Sequence, residues 1–133
     1  MEHTIFFSRT YDETMCLMVE ARHYLRHAET HDRHRAGPMV GLRMSCEALR
    51  VTSRLAQVMA WLMVQKAVHH GELTAEQSLA DDRRLSAAEI CLDQSHEADE
   101  ALPHTLRSLM DRSHRLYQRV ARIEAMLVLR VLH

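Results

Sequence analysis

Apolar residues recur along this chain at helical spacing, and they predict three long helices. In the first, about residues 10–30, they cover one face roughly 180° wide: Tyr11, Met15, Leu17, Met18, Ala21, Tyr24, Leu25 and Ala28. Thr10 and Glu13 have the spacing of a capping box, so we expect this helix to begin at Thr10. Gly37-Pro38 predicts the break that follows it.

The second predicted helix, about residues 40–70, carries two apolar seams and one polar strip. Seam A consists of Leu42, Cys46, Leu49, Ser53, Ala56, Ala60, Met63 and Ala67. Seam B consists of Met44, Ala48, Val51, Leu55, Val58 and Leu62. The polar strip between them holds Arg43, Glu47, Arg50, Arg54, Gln57 and Gln65, together with Trp61. Gly71 follows at the position where a left-handed residue ends a helix.

The third predicted helix, about residues 103–131, starts at Pro103, which is favoured in the first turn of a helix. Its apolar positions step by four and three residues in a sustained heptad: Leu102, Leu106, Leu109, Ser113, Leu116, Val120, Ile123 and Leu127. Heptads predict long, nearly parallel or antiparallel packing. We therefore expect an all-α fold, a single domain over residues 1–133 with three long helices in an antiparallel bundle.

The segment 71–101, between the second and third helices, differs in charge. It holds nine acidic and two basic residues, a net charge of −7, whereas the rest of the chain carries +6. No long apolar period continues through it, so we expect an irregular, mobile, acidic connection.

The two seams of the second helix predict self-association. A helix that is apolar on two sides needs partners on both, and a monomer would expose a larger apolar stripe than soluble proteins usually tolerate. We therefore expect a homodimer with seam B as its interface. The alternative is a fourth helix that folds in from the acidic segment.

Composition narrows the function classes. With 3 Gly in the chain, there is no Gly-rich phosphate loop or nucleophile elbow, so we expect no enzyme activity and no cofactor. The 17 basic and 18 acidic residues nearly cancel, which makes nucleic acid an unlikely partner. No signal peptide or membrane span is evident, and the cysteines lack disulfide or zinc spacing. We expect a reduced, cytoplasmic protein.

The polar strip is the most informative predicted surface. Arg and Trp are enriched among interface hot spots, so Arg43, Arg50, Arg54 and Trp61 form a hypothetical protein-docking patch. The alternative is a solvated face, with Trp61 against a neighbouring helix or the acidic segment.

The 11 histidines raise the question of a metal site. Glu20 with His23, and Asp111 with His114, have the Glu-x-x-His spacing of di-metal bundles. By helical angle both pairs point away from the core, which favours solvated polar faces over a metal-binding bundle. The run His23, His27, His31 and His34 has a metal-compatible spacing, and a surface cluster is the simpler interpretation.

Several strings resemble the regulator-of-CtrA-degradation (RcdA) family. They lie in all three predicted helices: Phe7-Ser-Arg-Thr-Tyr-Asp-Glu13, Glu20-Ala-Arg-His-Tyr24, Glu47-Ala-Leu-Arg-Val-Thr-Ser-Arg-Leu55, Ala60-Trp-Leu-Met-Val-Gln65, His70-Gly-Glu72 and Leu116-Tyr-Gln-Arg-Val-Ala-Arg122. The resemblance implies a dimeric three-helix bundle with an irregular connection before its last helix. It also implies an adaptor that helps to deliver cell-cycle regulators to the ClpXP protease. The better-known members continue into a polar tail, whereas this sequence ends at His133. The alternative function is a structural homodimer without a protease role.

Overall fold

Helices account for the fold in this computed structural model, which describes the backbone of residues 2–95 and 99–132 and the side chains of residues 6–95 and 99–132. In chain order they are α1 (Glu2–His27), α2 (Glu29–Ala36), α3 (Pro38–His69), α4 (Ala75–Ser78), a 3₁₀ turn (Asp81–Arg83), α5 (Ala88–Cys91) and α6 (His104–Leu132). No strand occurs within the described ranges. The all-α prediction is therefore confirmed.

The start of α1 differs from the prediction. The helix already begins at Glu2, so Thr10 lies inside it, and the Thr14 hydroxyl donates to the Thr10 carbonyl at 2.7 Å. The capping-box interpretation is wrong, because the same spacing also occurs in helix interiors. The polar residues after α1 form the short helix α2, and the turn into α3 falls at Gly37, whose φ of 86° favours glycine.

The end of α3 is a Schellman motif around Gly71, which has a φ of 77°. The Gly71 N–H donates to the Val68 carbonyl at 3.1 Å, and the Glu72 N–H donates to the Ala67 carbonyl at 2.9 Å. Both bonds satisfy carbonyls that the helix itself leaves unpaired.

The core lies where α1, α3 and α6 meet. The heptad of α6 faces inward, with Leu102, Leu106, Leu109, Ser113, Leu116 and Val120 all at most 3% exposed. Seam B of α3 and the buried residues Leu17, Ala21 and Tyr24 of α1 complete it.

Helix directions depart from the predicted antiparallel bundle. Ion pairs join Glu13 to Arg119 and Glu20 to Arg112, so α1 and α6 are antiparallel. However, α3 and α6 run parallel to each other: Val51 lies beside Leu109, and Arg54, one turn later, contacts Ser113, one turn after Leu109. Residues 71–95 therefore return along α3 before α6 begins, as in bundles with long crossover connections.

Candidate protein-binding site

The polar strip of α3 is covered by the returning connection. We call residues 84–93 of this connection the strap, since they lie across α3 and α6. The strap is bonded to both helices, and the predicted mobility of the acidic segment stays a prediction. Residues 96–98 of the same segment lie outside the described residues.

Arg54 is the main contact between α3 and the strap. Its side chain is 2% exposed, and its guanidinium donates to the Cys91 carbonyl at 2.7 Å and to the Asp93 carbonyl at 2.9 Å. It also donates to the Met110 carbonyl at 3.0 Å and the Ser113 hydroxyl at 3.2 Å on α6. A buried guanidinium needs such partners because desolvation disfavours its charge. Arg54 therefore ties three parts of the fold together.

Three other residues of the polar strip also contact the connection between α3 and α6. Arg50 donates to the Ile90 carbonyl at 2.9 Å and pairs with both Glu47 and Asp93. Further toward the end of α3, the Gln57 amide oxygen accepts bonds from the Ser86 N–H and hydroxyl, both at 3.0 Å. At the opposite end of the strip, Arg43 lies 3.1 Å from the carboxylate of Asp99.

On its other edge the strap is held by α6. The Tyr117 hydroxyl donates to the Ser86 carbonyl at 2.8 Å, and the Glu124 carboxylate accepts from the Leu85 N–H at 2.7 Å. Burial and the neighbouring Cys91 and Glu124 raise the pKa of Tyr117 to about 12. Burial likewise raises the pKa of the fully enclosed Cys91 thiol. Both shifts keep these groups neutral at physiological pH.

The docking patch predicted from Arg43, Arg50, Arg54 and Trp61 needs correction. Arg54 and Trp61 are each 2% exposed, and the ring of Trp61 packs edge-on against Phe7 of α1, with centroids 5.7 Å apart. The alternative stated for Trp61, packing against a neighbouring helix, describes its position. A partner protein could reach Arg54 only by displacing the strap.

The dimer interface predicted for seam B also needs correction. Met44, Val51, Leu55, Val58 and Leu62 are at most 4% exposed within the single chain, and Ala48 is partly buried. These six residues pack against α1 and α6. They cannot contact a second copy while the core is intact.

Seam A is the side of α3 that faces away from the core. Leu42 is 61% exposed, Leu49 69% and Met63 50%, and Cys46, Ala56 and Ala60 are also exposed. Seam A therefore remains an uncovered apolar surface.

The neighbouring face of α1 extends this surface. Tyr11, Met15, Met18 and Leu25 are each 37–39% exposed, and a groove between the helices brings Met18 and Leu25 next to Ala56. The sequence indicates this exposed surface, because the apolar side of α1 is wider than packing against a single core requires. We call seam A and these four α1 residues the apolar face.

Polar pairs occupy the positions considered for metal binding. Glu20 accepts two bonds from Arg112, at 2.6 and 3.1 Å, and these bonds hold the pKa of its carboxyl below the ordinary value. The rings of His23 and His27 lie 4.6 Å apart. His114 is 6% exposed, so the expectation that it points away from the core is wrong. Among the described residues, no three His, Cys, Asp or Glu side chains cluster as a metal site would require.

In the described part of the chain, none of the helices is both long enough and apolar enough to cross a membrane.

Comparison with known proteins shows relatives over nearly the whole chain. The family described as "Protein of unknown function (DUF1465)" matches residues 1–132. The crystal structure of RcdA from Caulobacter crescentus CB15 is similar over 92% of this chain and 91% of that chain, with 34% sequence identity and a TM-score of 0.72. No curated protein matches the sequence. The resemblance to the RcdA family is therefore confirmed.

Proposed function

The chain belongs to the DUF1465 family of proteins of unknown function, and on that premise we propose that it is a non-enzymatic, protein-binding accessory factor of regulated proteolysis. The similarity to RcdA supports this role. The family resemblance implies delivery of cell-cycle regulators to ClpXP, and we extend that role to this chain. Such a role places it in the cytoplasm.

The observation that carries this proposal is the apolar face. Leu42, Leu49 and Met63 are at least half exposed on a single helix, and apolar patches of several hundred Å² on a folded protein mark interaction sites. Arg50, Arg54 and Gln57 of the polar strip are bonded to the strap, whereas the apolar face is open to a partner.

We further propose that a second copy of the chain covers the centre of this face, around Leu49 and Ala56 on α3 and Met18 on α1. Two α1–α3 pairs stacked about a twofold axis would build a four-helix arrangement, in which each apolar face covers the other. This moves the proposed dimer interface from seam B to seam A.

The experiment that tests the function is protein turnover in cells. Deleting the gene should lengthen the half-lives of a subset of ClpXP substrates, measured by quantitative mass spectrometry after translation is stopped. Wild-type chain should restore them, and a Leu49→Asp variant should not. Leu129→Asp is the matched control, because Leu129 is 65% exposed on α6 and Leu49 is 69% exposed. Unchanged half-lives after deletion would contradict the role.

A further inference from the structure

A cavity lies between the start of α1 and the end of α3, at one end of the apolar face, whose Tyr11 and Met63 belong to its lining. Its volume is about 270 Å³, close to the lower limit of ~300 Å³ typical of ligand pockets. The apolar part of its lining is Phe7, Tyr11, Leu62 and Met63, and the polar part is Ser8, Gln65, Lys66, His69 and His70. The cavity can therefore hold one large apolar side chain.

Gln65 is the polar group that distinguishes this cavity from a simple packing gap. The residue as a whole is 7% exposed, but its carboxamide is not a fully buried, unbonded group. It is accessible from the cavity that Gln65 lines. A carboxamide both donates and accepts, so its natural complement is a group that offers an N–H and a C=O together. A peptide backbone is such a group.

The rim of the cavity is basic. Lys66, His69 and His70 lie along it, and none of the nine lining residues is acidic. Lys66 forms no ion pair with any described residue. The rim is thus complementary to a carboxylate beside the apolar group, since an exposed cation on an apolar wall attracts an acidic partner.

We propose that this cavity binds an extended segment of a partner protein, with an apolar side chain inside it, the backbone bonded to Gln65 and an acidic residue next to Lys66. The inference rests on the proposed protein-binding function and names the chemistry of one partner segment. It assigns a partner contact to the end of the apolar face nearest the end of α3, where Tyr11 and Met63 line the cavity.

The test is a titration of the full-length chain with two synthetic peptides, followed by ¹H–¹⁵N NMR. The acidic peptide Glu-Glu-Leu-Phe-Glu-Glu should shift the Gln65 side-chain signals and the Lys66 and His69 amides saturably. The basic peptide Lys-Lys-Leu-Phe-Lys-Lys should bind at least about tenfold more weakly. Equal affinity for both peptides, or no saturation by the acidic peptide at about 1 mM, would overturn the proposal.

Variants separate the cavity from nonspecific binding. Gln65→Leu replaces the carboxamide with an apolar side chain of similar size and should weaken binding of the acidic peptide about tenfold. Gln118→Leu, at an exposed position of α6, should leave that affinity unchanged. Full affinity of the Gln65→Leu variant would overturn the role of the carboxamide. A halved particle mass on peptide addition would mean that a second copy occupies the cavity, and would also overturn the proposal.

These outcomes are independent of the turnover experiment. If the peptide does not bind but the wild-type chain restores the substrate half-lives, the accessory role is supported and the cavity site is not. Intact peptide binding with unchanged substrate half-lives leaves the site standing without the proteolytic role.

Discussion

Two sides of α3 show the reverse of the burial that their hydropathy predicts: the polar side is buried and the apolar outer side is exposed. On the strap side, Arg54 is 2% exposed and is surrounded by carbonyl acceptors; on the outer side, Leu49 is 69% exposed. The difference shows that burial on this helix follows chain connectivity. The parallel arrangement of α3 and α6 sends the connection back over the polar strip, and the second apolar seam is left outside. The outer side is consequently the one that is suited to contact other proteins.

The strap side can be weakened most strongly at Arg54. An Arg54→Met substitution keeps most of the side-chain volume but leaves the carbonyls of Cys91, Asp93 and Met110 without this donor. Each buried carbonyl left without a donor costs about 1–3 kcal/mol, so we expect the free energy of unfolding to fall by about 3–5 kcal/mol, measured by urea denaturation. Arg122→Met, at an exposed position of α6, should change it by less than about 0.5 kcal/mol. Equal stability of the two variants would show that the strap contributes little.

A smaller change at Tyr117 tests whether the strap opens locally. Tyr117→Phe removes the bond to the Ser86 carbonyl and should cost about 1 kcal/mol. Cys91 is a residue of the strap and its side chain is fully buried, whereas Cys16 and Cys46 are exposed. We expect a thiol reagent to label Cys91 about fivefold faster in the variant, with no change at the other two cysteines. An unchanged Cys91 rate would mean that this bond does not limit opening.

The smallest expected change in stability comes from the ion pair between Glu20 of α1 and Arg112 of α6, which belongs to neither side of α3. Bonds from Arg112 lower the folded-state pKa of Glu20 below its ordinary value of 4.5. The stabilisation is therefore fully present above about pH 4.5 and is lost as the pH falls through the folded-state pKa.

Glu20 and Arg112 are 50% and 41% exposed, so solvent screens the pair. Glu20→Gln should lower the free energy of unfolding by a few tenths of a kcal/mol at pH 7 and by less at pH 3. Chemical denaturation at both pH values measures this. A difference of the same size at both would contradict the assigned cause.

Much of the helical framework could be predicted from the sequence, because the heptad of α6 and the Gly71 end of α3 are local signals. The first helix was predicted too short, since a capping box at Thr10 has the same residue spacing as part of a helix interior.

The candidate site was harder to predict. Seams A and B are similarly apolar, so their residue types do not decide which of them enters the core. The strap was missed because its own carbonyls, at Ile90, Cys91 and Asp93, accept the bonds that hold it. Every residue has a backbone carbonyl, so such bonds cannot be predicted from residue types. The residues of the predicted Arg and Trp patch contact other parts of the chain: Arg50 and Arg54 bond to the strap, and Trp61 packs against Phe7.

We propose that seam A, and not seam B, is the face on which this protein binds a second copy of itself. Light scattering at micromolar concentration tests it directly, because the chain mass is 15.5 kDa. We predict twice that mass for the wild type and for Leu129→Asp, and 15.5 kDa for a folded Leu49→Asp variant. A wild-type particle of 15.5 kDa at every concentration, or a Leu49→Asp variant that remains dimeric, would contradict the claim.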